Sequence, residues 1–452
     1  MMRTDLSTLY RSLLLTLCLV SPGSLAWRNM AEAQATGAVV TDTVTQDQVI
    51  AQVLASNNRL AAMTFMEKAS REKIGPAGAW DDPMLMLGVQ NIPTNWKIKE
   101  DPMTMKMLGL SWQIPYAGDK GLARKAAQAE AEGYHADRED QVLLLVSAAK
   151  TAYADLYYRG QALNALAAQY ELLDQLVASI RSKLEVNQAG QEDLLSAQTE
   201  LWRLQSDLLM AEADLDKTKF DLNAMRGVGL ERPIAALSPP PTDSIPMTAD
   251  LWIAQAKDNN PQLKKLAAQS RSYQFSARSN RRMSWPMLNL SGAYGFRTGY
   301  DIGLHGESMG PRKNMITILG TISVPIFAWR SQRSMARSMD QMKASSDAEQ
   351  VQAGREIEAK VRTLHLSALH GRQSIGLYAN NIIPVSQNAY ESALSGYKAN
   401  RTSMTSVLNL ALAVYRNKLA MYQLSFQLAQ TMAELGQVIG RAEQPAGSDV
   451  RN

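Results

Sequence analysis

The chain is written twice, and no other feature limits its possible folds so tightly. Pro83-Met84-Leu85-Met86-Leu87 recurs as Pro286-Met287-Leu288-Asn289-Leu290, and Asn57 and Leu60 recur as Asn260 and Leu263, all at an offset of 203 residues. Farther along, Ile114-Pro115 returns as Val324-Pro325 at offset 210. Asp193-Leu194-Leu195, Leu222 and Gly227 return as Ser406-Val407-Leu408, Leu435 and Gly440 at offset 213. Offsets that grow only in steps of 7 and 3 describe one unit of about 200 residues, duplicated, with small insertions at two places.

The apolar content, 46% of 452 residues, is largely Ala and Leu set among Gln, Glu, Lys and Arg, the composition of long paired helices. A net charge of +4 is nearly balanced, and no basic block is interleaved with the sparse aromatics, so a nucleic-acid surface is not expected. Residues 1–35 read as an export signal: Arg3 and Arg11 precede the apolar run Leu13 to Val20, and small-residue cleavage sites follow at Ser24-Leu25-Ala26 and Ala33-Gln34-Ala35. Cys18, the only cysteine, follows Leu17 where a lipidation site would carry a small residue, so it is read as part of the run. The mature chain then lacks disulfides and thiolate ligands. No later segment reaches the ~18 apolar residues of a membrane helix. If the chain enters a membrane, it does so with strands.

The first unit spans 36–230 and the second 248–440, joined by a stiff connector over 231–247 that contains Pro239-Pro240-Pro241, and 441–452 reads as a flexible tail. Each unit opens with a helix of about 30 residues, from Thr45 to Glu72 and from Thr248 to Arg282. The period then changes to two. Leu108, Leu110, Trp112 and Ile114 oppose Met107, Gly109, Ser111 and Gln113, while Ile316, Ile318, Gly320, Ile322 and Val324 oppose Thr317, Leu319, Thr321 and Ser323. The preceding segments behave likewise, which gives strands at about 84–91, 105–114, 287–296 and 315–324. Such strands match those of a transmembrane β-barrel, with Leu108, Leu110, Trp112, Ile318 and Ile322 facing lipid. A half-buried soluble hairpin alternates in the same way. Four strands flanked only by long helices leave open edges, however, and three copies would close a barrel of twelve.

Each unit then enters a helical hairpin on a heptad seam. Leu163, Leu166, Tyr170, Leu173, Val177, Ile180 and Leu184 run outward, and Leu194, Ala197, Leu201, Leu204 and Leu208 return. In the second unit Val361, Leu364, Ile375, Tyr378, Ile382 and Val385 run outward, with a kink or loosening expected at Pro384, and Leu408, Ala411, Tyr415 and Leu419 return. From Tyr116 to Asn187 such a helix would extend about 100 Å.

A tandem repeat of helix, two amphipathic strands and a long helical hairpin behind a secretion signal resembles the TolC family of outer-membrane efflux channels over essentially the whole mature chain. Asp82-Pro83-Met84, Asn91-Ile92-Pro93, Asp101-Pro102-Met103-Thr104-Met105 and Gln113-Ile114-Pro115 are similar to the branch that serves heavy-metal efflux pumps. The resemblance implies a mostly α protomer with four strands, a homotrimeric twelve-stranded barrel in outer-membrane lipid and an α-barrel crossing the periplasm. It implies as partners a periplasmic adaptor and an inner-membrane pump of the RND type, and no cofactor. It places the adaptor contact and the closed periplasmic end at the hairpin tips, represented here by Gly190, Gln191 and Asp193 and by Asn400, Arg401 and Ser403. Gly190 and Asn400 equally suit the left-handed conformation of a tight turn. Where family members often carry aspartate rings, this chain has Ser406 and Asn409 at the expected constriction, polar but neutral.

Drug efflux or type I protein secretion could replace metal export as the cargo class. A periplasmic adaptor also uses a long hairpin, but not a duplicated pair of amphipathic strands, and a purely structural coiled coil would have no use for period-two segments. Met84, Met86, Met103, Met105 and Met107 crowd the first hairpin. Thioethers suit Cu(I), yet Met is also a flexible apolar filler, and the second reading is preferred. His135, His305, His365 and His370 are scattered, and neither a metal-ligand set, a catalytic constellation nor a phosphate loop emerges.

Overall fold

The computed structural model describes residues 44–441 except 95, 97–100, 116–117, 235–236, 242–244, 246–247, 303, 306 and 329. The segment read as an export signal and, apart from Arg441, the segment read as a C-terminal tail lie outside them. Each unit opens with two helices rather than the single one expected. Helix α1 (Gln46–Ser56) gives way to α2 (Asn58–Glu72) at Asn57, whose side chain accepts from Leu60 N at 2.9 Å. After the short α3 (Ile74–Gly78) come strands β1 (Met84–Gln90) and β2 (Met105–Ile114), then α4 (Asp119–Glu185) and α5 (Gln191–Arg226). In the second unit α6 (Asp250–Asn259) stops at Asn260, which caps α7 (Pro261–Arg282) through Gln262 N and Leu263 N. Both asparagines have extended backbones, and Pro261 cannot donate the N–H that a continuous helix would require. The break is thus a repeat-conserved cap.

Strands β3 (Met287–Phe296), β4 (Tyr300–Ile302), β5 (Ser308–Pro311) and β6 (Met315–Ser323) follow, then α8 (Gln332–Leu377), a π-turn (Tyr378–Ile382), α9 (Ile383–Lys398) and α10 (Met404–Ile439). The four long strands form one antiparallel sheet in the order β1-β2-β3-β6, so the two hairpins join through β2 and β3. The β4–β5 pair extends the second hairpin beyond the sheet. Helix α4 of the first unit packs on α7 and α10 of the second, so the units interlock.

Three apolar clusters follow the duplication. One joins α1 to α4 and α5 through Val49, Ile50, Val53, Tyr153 and Leu222, and another joins α6 to α8 and α10 through Ile253, Val361, Leu364 and Leu435. The third, near the tips, mixes Leu173, Val177 and Ile180 of the first unit with Ala393, Tyr397 and Val407 of the second. Glu67 on α2, almost fully buried, ties that helix to α4 through Arg138 Nε at 2.6 Å and His135 Nδ1 at 3.0 Å, with Arg71 at 2.5 Å on its own helix.

The second outward arm departs from the expected seam. Ile382 and Val385 are exposed, and the buried stripe below the π-turn runs instead through Ala393 and Tyr397, with Tyr390 and Leu394 packed beside them. Above the turn, Leu145, Ala149, Tyr153 and Leu156 of α4 match the buried Ile357, Val361, His365 and Ala368 of α8 at offset 212. Below it, Val177 and Ile180 match Tyr390 and Ala393 at offset 213. The π-turn therefore holds one extra residue. Pro384 explains its position: its nitrogen cannot donate to residue 380 and its ring would press on that carbonyl, so the widened turn relieves the clash.

Candidate functional site

Two surfaces concern function, the sheet and the hairpin tips. The register brings Leu85, Leu87, Leu108, Leu110, Trp112, Leu288, Leu290, Ile316, Ile318 and Ile322 onto one face of the sheet. Leu108, Leu110, Trp112, Ile318 and Ile322, the residues expected to face lipid, thus share a face, and all are exposed in the protomer, Ile318 at 82%. The opposite face is mixed: Gln90, Ser111, Gln113, Asn289, Ser291, Thr317 and Thr321 stand among methionines. Lys106 is the only charged residue in the four strands. Ten residues of β2 span about 34 Å, or about 26 Å along the normal of a sheet tilted by about 40°, close to the apolar band of an outer-membrane barrel.

Aromatic residues mark both ends of this band. At the end nearest the helices Trp80 and Trp112 pack with their rings tilted by 47° and 5.4 Å between centroids, Trp112 Nε1 donates to Asp81 O at 3.1 Å, and Trp285 is exposed beside β3. At the other end Tyr294 and Phe296 meet edge to face at 4.8 Å. Sequence reasoning passed over Trp80 and Trp285, although a tryptophan just ahead of an amphipathic strand is the signal of an interfacial anchor. Beyond that end the two loops are pinned together. Arg297 donates to Pro102 O, and the buried Arg312 donates to Asp101 O at 3.3 Å and Thr298 O at 3.2 Å.

At the tips the duplicated turns share one geometry. Asn187 and Asn400, equivalent at offset 213, take the left-handed conformation at φ 57° and 56°. Gln188 N and Arg401 N each bond back to a carbonyl five residues earlier, at 2.8 Å in both. Gly190 does not take the left-handed place expected of it. With φ −83° it caps α5 in an extended conformation, as its counterpart Ser403 caps α10 by accepting from Ser406 N at 3.3 Å. The turn needs positive φ three residues before each cap, and asparagine meets that need in both units. Gly190, Gln191, Asn400, Arg401 and Ser403 are exposed, and Asp193 is half-buried in the first turn of α5.

A cross-link joins the tips. Lys183 Nζ on α4 donates to Tyr397 O at 2.9 Å and to Asn400 Oδ1 at 3.3 Å, and lies 4.1 Å from the Tyr397 ring centroid. Burial, with the negative charge of Asp193, raises the Tyr397 hydroxyl above its usual range. Farther along the seam, burial and Asp207 push Tyr415 up to about 12, so both phenols stay neutral. Ser406 and Asn409 lie one turn apart on α10, half-buried and exposed respectively, and the next charge on the exposed stripe is Arg416. The structure thus brings the residues expected at the constriction and the second tip together at the start of α10. Among the described residues no three His, Cys, Asp or Glu side chains come together to hold a metal.

The model of the family described as outer membrane efflux protein matches residues 49–228 and 252–441, one stretch in each unit. Solved structures share the fold at low identity. The outer-membrane channel OprN superposes with TM-score 0.72 at 15% identity, covering 88% of this chain and 91% of that one. VceC from Vibrio cholerae gives 0.72 at 15%, covering 88% and 96%, and CusC gives 0.72 at 14%, covering 88% and 92%. No curated protein sequence matches. Equal likeness to these three channels fixes the architecture without separating one branch from another.

Proposed function

The chain belongs to the outer membrane efflux protein family, and from that membership we propose that it is the passive exit duct of a tripartite efflux system, with heavy-metal ions as cargo. The carrying observation is the register of the sheet, which leaves one face apolar except for Lys106 at its end far from the helices, the other mixed, and the edges of β1 and β6 unpaired. Neither edge can stay open in a bilayer, because an unpaired backbone group there costs several kcal/mol. Three copies, pairing β6 of one with β1 of the next, close a barrel of twelve strands with Leu108, Leu110, Trp112, Ile318 and Ile322 toward lipid and the mixed face toward water. The helices, with α4 about 100 Å long, reach from that barrel across the periplasm.

In this reading the tips form the closed end. Gly190, Gln191, Asp193, Asn400, Arg401 and Ser403 meet a periplasmic adaptor, which draws the tips apart, and Ser406 and Asn409 line the constriction. An inner-membrane pump supplies the energy. Metal cargo rests on the resemblance of the first-hairpin motifs around Asp82-Pro83-Met84 and Asp101-Pro102-Met103 to the heavy-metal branch. A deletion strain exposed to copper, silver, zinc, cobalt, cadmium and organic drugs tests the cargo. Sensitivity to metals supports the reading, and sensitivity to drugs alone overturns it.

A further inference from the structure

All six methionines of the four strands, Met84, Met86, Met105, Met107, Met287 and Met315, fall on the mixed face of the sheet and none on the apolar face. A methionine used only as apolar filler would suit the lipid side at least as well. Three of the six border one glycine. Gly88, Met107, Gly295 and Met315 stand in a single row across the strands, so Met107 and Met315 flank Gly295 from either side. Their backbones are about 10 Å apart, two strand spacings, and Gly295 itself puts no side chain between them. Met105 covers the same glycine: a Cβ at Gly295 would collide with its thioether sulfur and lie 3.2 Å from its Cγ. Met105 is buried, while Met315 is open to the face at 43%. Glycine at 295 leaves the floor on which three thioethers can meet.

We propose that Met105, Met107 and Met315 form a thioether site for a soft monovalent cation, Cu(I) or Ag(I), near the outer end of the barrel lumen. This inference rests on the duct reading above, which makes the mixed face the lumen. Thioethers are neutral, polarisable ligands that favour Cu(I)-like ions, whereas hard divalent cations demand oxygen or imidazole donors. This face offers the hard ions no carboxylate, since none of the four strands carries an acidic residue. A neutral site also suits an exit. Without a fixed opposite charge it holds the ion weakly enough to release it, while three such sites around the lumen favour soft cations over the sodium and calcium outside.

The test uses Ag(I) in chloride-free buffer with the purified full-length channel, bound silver being measured by equilibrium dialysis and pore formation by planar-bilayer conductance. Saturable binding is expected, with affinity falling by about tenfold or more in M105L/M107L/M315L, leucine nearly conserving volume while removing sulfur. M84L/M287L, altered elsewhere on the same face, should bind as the parent does, and excess Zn(II) should not displace silver. Equal binding by the triple variant, no binding by the parent, or displacement by Zn(II) overturns the site. If the triple variant fails to form pores, Met315→Leu, which leaves the Met105 contact intact, takes its place, and unchanged affinity there is equally fatal. A parent chain that forms no pore defeats the duct reading, whereas one that conducts without binding silver defeats the site alone.

Discussion

Lys183→Met is expected to loosen the closed end of the duct. The lysine stands one turn above the first tip and holds the second by two hydrogen bonds, 2.9 Å to Tyr397 O and 3.3 Å to Asn400 Oδ1, and by its position 4.1 Å from the Tyr397 ring centroid. A charged donor on a carbonyl contributes about 1.5–3 kcal/mol, nearer the lower figure here because the ammonium is partly solvated. The cation–π contact adds about 0.5–1 kcal/mol. Ordering a lysine offsets part of this, leaving about 2 kcal/mol per protomer, or about thirtyfold in an opening equilibrium. Methionine keeps the packing of the aliphatic stem, so the tip cluster of Leu173, Val177 and Val407 should survive and thermal stability should change little. The assay is the fraction of time that single channels spend in a high-conductance state in planar bilayers. Lys183→Arg, which retains a cation, should fall between parent and Met. A Met variant with the parent's open fraction would refute the reasoning, because the tie would then carry no part of closure.

Replacing Ser406 and Asn409 together by aspartate should raise cation preference in bilayer recordings, since three copies would put a ring of carboxylates in a narrow pore, and unchanged selectivity would place the constriction elsewhere. Glu67 gives a pH-dependent expectation. Burial alone would raise its carboxyl, but hydrogen bonds from His135 and Arg138, with their charges, outweigh burial and hold it below the usual range. A lowered folded value contributes stability above the unfolded pKa that is lost as pH falls through the folded one. Glu67→Gln should therefore cost about 2 kcal/mol near pH 7, seen as a lower Tm, and the difference should shrink below about pH 4. Asn187→Ala and Asn400→Ala should each cost about 1 kcal/mol for a left-handed residue without a suitable side chain, whereas Gly190→Ala, with φ negative, should cost little; equal costs at all three would contradict the tip geometry.

The strands and hairpins were legible because each is a surface problem with one period. Alternation at Leu108, Leu110 and Trp112 specifies a pleat with unlike faces, and the 3-4 spacing from Leu166 to Ile180 specifies a seam. Features decided by a single backbone group were not legible. A capping asparagine at 57 or 260 looks like any polar residue in a helical run until its side chain is seen to accept from the next turn. At the first tip the sequence points to the nearest glycine, Gly190, yet glycine is only one residue that tolerates positive φ and Asn187 takes the place, whereas Asn400 takes it at the second tip as expected. The Lys183 tie escaped notice because it joins helices more than 200 residues apart, and nothing local distinguishes that lysine from its neighbours. The methionines were visible as a crowd. Their common side required knowledge of which strand lies beside which.

The π-turn at Tyr378–Ile382 makes the two outward arms unequal as screws. Each arm has 67 residues from first to last, α4 over Asp119–Glu185 and the interrupted arm over Gln332–Lys398, yet only one turns uniformly. One residue is about 100° of helical rotation, so winding the extra residue into a regular α-helix would swing the whole lower arm by that angle and put Ile382 and Val385 on the seam in place of Tyr390 and Ala393. The lower arm, with Tyr397 and Asn400 at its end, is thereby indexed independently of the part that packs against α6 and α7. In the trimer proposed above, six such staves would make a tube that is threefold rather than sixfold along its wall, every second stave carrying a dislocation above tips of one turn geometry.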